Sequence, residues 1–179
     1  MADPLPRRGA RVVLRRFAAA DLEALQSYRN DEEIARYQSW SVMSTEAAQQ
    51  FLAEMAAAPM FVPDEWFQVA IAGADSNDLI GDIGICVRTN AGGVRFAEIG
   101  FTLARGAQGK GLATEAVRET LALLFEHAEI DYVVGITDTR NTASIQLLKR
   151  VGMTLRETTD ATFRGKPCQE HVFEARRGA

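Results

Sequence analysis

Cysteine and histidine are scarce in this chain, with two of each in 179 residues. Cys86 and Cys168 fall in separate strand-like segments and make no disulfide framework, so reduced thiols are expected. His127 and His171 give a zinc site or a histidine-centred nucleophilic triad little to build on, and no metal is expected. Positive charge is also short. A net charge of −4 argues against a nucleic-acid partner, because phosphate neutralisation needs a basic surface, and it leaves room for a cationic substrate. No apolar run is long enough to cross a bilayer, and "MADPLPRRGAR" lacks the apolar stretch of a secretory signal. The expectation is no membrane partner and a reducing cytoplasm.

What is present is ordinary for a globular core: 47% hydrophobic and 25% charged residues. The length predicts one domain over 1–179, with 1–10 as a flexible extension. "RVVLRRF" reads as a strand, "AADLEALQSYRND" as a helix with Leu22, Leu25 and Tyr28 at helical spacing, and "RYQSWSVMS" as an aromatic connector. Ser44 is placed to cap the helix "TEAAQQFLAEMAAA", which stops before Pro59 and Pro63. "EWFQVAIA", "LIGDIGICVR" and "FAEIGFTLA" are strands parted by turn-rich segments. A long helix follows with Ala113, Val117, Leu121, Leu124 and Ala128 on one face. The apolar strand "YVVGITD", the helix "NTASIQLLKRVG" and a closing hairpin complete an α/β chain of seven strands and about four helices. The sheet is expected to be mostly antiparallel with one βαβ crossover.

Between strand and long helix lies "RGAQGKGLATEA", which packs three glycines and a lysine against a helix start. Glycine there lets the backbone approach a ligand closely, and a helix N-terminus presents unpaired N–H groups and a positive dipole end. Three anion-binding readings compete. A phosphate-binding P-loop needs Ser or Thr after its lysine, but Lys110 is followed by Gly111. The dinucleotide fingerprint G-x-G-x-x-G is not matched by the spacing of Gly106, Gly109 and Gly111. The pattern Gln108-x-x-Gly111-x-Ala113 fits better. It resembles the Q/R-x-x-G-x-G/A motif of GNAT acetyltransferases. "LIGDIGI", "AEIGFTLA" and "NTASIQLLKRVGM" occur in the order and spacing of the RimJ/RimL-like branch, over nearly the whole chain.

The resemblance implies a GNAT fold whose fourth and fifth strands splay apart to admit acetyl-CoA as co-substrate. The loop Gln108, Gly109, Lys110, Gly111, Leu112 and Ala113 would wrap its pyrophosphate. Backbone groups of Phe101 and Leu103 would pair with the pantetheine amides, and Asn141 would touch the pantetheine arm. The implied activity is N-acetylation of a primary amine, on a protein N-terminus or a small molecule, by direct attack in a ternary complex. An acyl-CoA-binding domain without turnover is the alternative. Many members dimerise, so a homodimer stays open.

An alkylamine has a pKa of about 10 and is mostly protonated at neutral pH, so the reaction needs a base. Strand alternation turns Glu98 away from Ile99 and Phe101, toward the acceptor groove, and a glutamate at this position is the proposed base in several GNAT families. Asp160 and Glu170 are further acidic candidates. Many members use a tyrosine on the helix after the fifth strand to protonate the leaving thiolate. Leu148 stands at that position here, and Ser144 matches the serine proposed as the acid in the RimL-like branch. Tyr37 and Trp40 of "RYQSW" are candidates to wall the acceptor pocket by stacking on a cation.

Overall fold

The computed structural model describes residues 2–178. Eight strands form one sheet: β1 (Arg7–Arg8), β2 (Val12–Arg15), β3 (Trp66–Gly73), β4 (Leu79–Thr89), β5 (Arg95–Leu103), β6 (Tyr132–Asp138), β7 (Thr154–Phe163) and β8 (Lys166–Arg176). Their order is β1-β2-β3-β4-β5-β6-β8-β7. Every neighbouring pair is antiparallel except β5 and β6. Five helices accompany them: α1 (Leu22–Arg29), the single turn α2 (Glu32–Ala35), α3 (Thr45–Ala57), α4 (Leu112–His127) and α5 (Thr142–Arg150).

The eighth strand is the one the sequence conceals. Residues 1–10 were expected to form a flexible extension. Instead Arg7 and Arg8 pair with Leu14 and Val13, Leu5 is buried in the main core, and Arg7 bonds Glu119 and Glu126 of α4. Two residues carry no legible period-2 pattern, so this strand forms only because β2 offers it an edge.

The sheet has two unlike faces. On one, Ala97, Ile99 and Leu103 of β5 meet Ala116, Val117 and Leu124 of α4 and Leu148 of α5 in the larger core cluster. On the other, α1 and α3 pack Leu25, Tyr28 and Leu52 against Ala70. Asp82 of β4 fixes α1 there. It accepts from the Tyr28 hydroxyl at 2.5 Å and from Arg29 Nη2 at 2.9 Å. Burial and the facing Asp82 carboxylate push the Tyr28 hydroxyl well above its ordinary pKa, so it remains a donor.

Strands β5 and β6 pair only from Phe96↔Tyr132 to Ile99↔Gly135. Beyond that point β5 continues along β4 to Leu103, while β6 continues along β8 to Asp138. The sheet is therefore split. Gly135 marks the fork, because a Cβ there would meet Leu148 Cδ2 at 2.8 Å, and α5 could not lie so close to β6.

Candidate active site

The fork opens a cleft that crosses the sheet. Gly135, Asn141, Ser144 and Leu148 line it on the side of α5, and Tyr37, Gln38, Gly100, Ile136, Asp138 and Glu170 line it on the other. A molecule lying in it would meet elements of both faces.

On the α4 side the cleft leads to the glycine loop. Gly109 and Gly111 have φ of +74° and +76°, the left-handed region that glycine enters at little cost. Between Gln108 and Glu115, whose N–H donates to the Gly111 carbonyl at 3.1 Å, the N–H groups of residues 109–114 have no acceptor among the described residues. These donors sit at the start of a 16-residue helix whose dipole adds positive potential. The donor set fits a pyrophosphate. Arg11 braces the loop from behind, donating to the Lys110 carbonyl and to the Glu115 carboxylate, and Lys110 Nζ folds back onto the Gly106 carbonyl at 2.9 Å.

The free edge of β5 is the second ligand-ready surface. Asp131 N–H bonds the Arg95 carbonyl, so by strand alternation the backbone groups of Phe101 and Leu103 point to the side that β6 has left. Two glutamines cap their carbonyls: Gln38 Nε2 donates to Phe101 O at 3.3 Å and Gln108 Nε2 to Leu103 O at 2.9 Å. The side chain of Gln108 is thus a loop anchor.

Residues 11–154 match the acetyltransferase (GNAT) domain family. The chain belongs to the GNAT N-acetyltransferases. It is 25% identical over 138 residues to the uncharacterised N-acetyltransferase p20 of Bacillus licheniformis, covering 77% of this chain and 76% of that protein. Among solved structures it resembles the ribosomal-protein-S5-alanine acetyltransferase from Vibrio fischeri, with a TM-score of 0.79, 16% identity and 96% of each chain covered. It also resembles the microcin C7 self-immunity acetyltransferase MccE, solved with acetyl-CoA and AMP, with a TM-score of 0.78, 18% identity and 94% of each chain covered. The split mixed sheet is the GNAT fold, with β1 making eight strands where seven were expected.

Within this GNAT frame the remaining candidates separate. Asn141 caps α5, its Oδ1 accepting from the Ser144 N–H at 3.3 Å, and both residues line the cleft. Leu148 is buried against the fork and offers no proton. Glu98 lies on the same face of β5 as Gly100, as the alternation predicts, but outside the cleft wall. Its Oε2 accepts from Arg88 Nε at 3.0 Å, and its side chain is 23% exposed. Glu170 lines the cleft, whereas Asp160 lies along the hairpin, accepting from Gln169.

Tyr37 lines the cleft, with the guanidinium of Arg36 over its ring at 5.3 Å and that of Arg140 at 6.0 Å. Trp40 does not line it. The cation on its ring is the chain's own Arg29, 4.0 Å from the centroid, and its Nε1 donates to the Arg29 carbonyl at 3.0 Å. The expected acceptor contact is replaced by a loop anchor, because α1 places a buried guanidinium under the indole.

Two groups escaped the sequence reading. Asp138 faces the cleft with its carboxylate gripped by Arg140 at 2.7 and 2.9 Å, which holds its pKa below the usual carboxylate value. Arg164, in the turn between β7 and β8, donates to the carbonyls of Ala35, Gln38 and Trp40 and straps the segment bearing Tyr37 beside the cleft. No local signal in "RGKP" foretells a contact with residues 35–40.

Proposed function

We propose that the chain transfers the acetyl group of acetyl-CoA to a primary amine within a ternary complex, as a member of the RimJ/RimL-like branch. The observation that carries this reading is the cleft through the forked sheet, with an unpaired donor loop on one face and a mouth lined by Tyr37, Glu170 and the Arg140-paired Asp138 on the other. The relative MccE, solved with acetyl-CoA, supports the coenzyme. The acceptor is either a basic protein N-terminus, as the name of the Vibrio fischeri relative suggests, or a small cationic amine.

Backbone N–H groups of Gly109, Lys110, Gly111, Leu112 and Ala113, in the loop held by Gln108, would hold the pyrophosphate. The edge of β5 at Phe101 and Leu103, with Asn141, would hold the pantetheine arm. Acetyl-CoA supplies an acetyl group on a thioester carbon, from which an amine nitrogen can displace the thiolate. Glu98 takes the ammonium proton, directly or through water. Arg88 engages only its Oε2, and Oε1 has no partner among the described residues. Tyr37 walls the acceptor side and Ser144 Oγ donates a hydrogen bond toward the departing sulfur. Metal has no part in this reading.

The test is a screen of polyamines, aminoglycosides, amino acids and basic peptides with acetyl-CoA, reading thiol release. Release with one acceptor class, matched by its mass gain, supports transfer. Tight coenzyme binding with no release from any acceptor would make the chain an acyl-CoA-binding domain instead.

A further inference from the structure

Glycine inside a strand weakens it and marks either a steric demand or the close approach of another molecule. Four strand glycines here lie close against other groups of the protein itself. A Cβ on Gly73 would meet Ser76 Oγ at 2.9 Å, on Gly84 it would meet Gln68 Nε2 at 2.8 Å, on Gly81 it would run into the Thr102 carbonyl, and on Gly135 it would strike Leu148. Gly100 is different. A Cβ there meets nothing within 4 Å, its φ is not in the left-handed region, and it is exposed within β5.

Its place gives this open space a use. Gly100 is the first residue of β5 beyond the last pair with β6, and it lines the cleft. It points to the same face as Glu98, two residues away and about 7 Å along the strand. Across the ladder it faces Gly84, beside which Trp66 lies half-exposed. Ile136, 40% exposed, stands over the fork on β6.

We infer that Gly100 is the floor of the acceptor slot, kept bare so that the substrate amine passes over β5 from the Glu98 face into the fork. This rests on the acetyl-transfer reading. Gly100 determines specificity by width: any side chain there narrows the approach of the amine, and the coenzyme loop on the opposite face is untouched.

Gly100→Ala should melt at or above the wild-type temperature and bind acetyl-CoA with unchanged calorimetric affinity. Its kcat/KM for an amine that the wild type acetylates should fall about tenfold or more, as when one methyl group is misplaced in a fitted site. A second variant needs no acceptor. Gly100→Cys in a Cys168→Ser background should react readily with 2-aminoethyl methanethiosulfonate, itself a small cationic amine, while the buried Cys86 does not. A lower melting temperature for Gly100→Ala, an unreactive thiol at position 100, or an unaltered kcat/KM would each overturn the slot. Failure of the wild-type chain to bind acetyl-CoA would instead overturn the reading beneath it.

Discussion

At the scale of single residues, the proposed chemistry turns on how Glu98 shares its carboxylate. Arg88 holds one oxygen and also lies within 3.7 Å of Asp64, so the guanidinium positions Glu98 without closing it off. Glu98→Gln keeps the shape and the bond from Arg88 but cannot accept a proton. Loss of general-base help costs about 10²–10⁴-fold. The deficit should appear in kcat/KM for the amine, shrink at high pH where free amine is abundant, and leave acetyl-CoA affinity close to wild type. Near-normal activity at neutral pH would move the base to Glu170, the acidic candidate that does line the cleft. Ser144→Ala should slow turnover only modestly, since a hydroxyl is a feeble acid and Asn141 still caps α5 through the Ser144 backbone. A rate unaltered across pH would reduce Ser144 to packing.

At the scale of elements, the loop before α4 is the part most open to a single substitution. Gly111 sits at φ +76° as the N-cap of α4, with Arg11 Nη2 3.4 Å from where its Cβ would be. A branched side chain suffers both from the left-handed backbone and from blocking the approach of an anion. Gly111→Val should therefore raise the acetyl-CoA KM far more than it lowers stability, and calorimetry on the folded variant checks this. Unchanged coenzyme affinity would sink the pyrophosphate assignment. This loop was legible in the sequence because its signals are local: glycine spacing, then a helix-forming run. The face of β5 that carries Glu98 was legible for the same reason, since strand alternation needs no partner, but its place outside the cleft wall was not. What was hidden depended on distant packing. Arg88 meets Glu98 only through the β4–β5 register, Trp40 finds Arg29 only when α1 is docked, and Arg164 reaches residues 35–40 only when the last hairpin folds back.

At the scale of the whole molecule, the N-terminal strands and α4 are stapled together by carboxylates that prefer to be charged. Glu115 is the clearest. Burial works against its ionised form, but the backbone N–H and guanidinium of Arg11, with the Val12 N–H, outweigh that and hold its pKa below the ordinary glutamate value. Glu126 is lowered by its bond from Arg7, against a smaller opposing effect of burial. A carboxylate whose folded pKa is depressed stabilises the fold above its unfolded pKa and loses that contribution as pH falls through the folded one. The window thus opens near the ordinary value of about 4 and extends below it. Glu115→Gln should melt below wild type at pH 7, because Arg11 loses its charged partner beneath the Lys110 carbonyl. Since the variant has no proton to take up at that position, the gap between the two melting temperatures should close as the pH is lowered through this window. The same variant should bind acetyl-CoA more weakly at pH 7, since Arg11 braces the loop through both contacts. A melting gap that persisted unchanged at acid pH would show that Glu115 acts through packing, and that the charge on its carboxylate adds nothing to the fold.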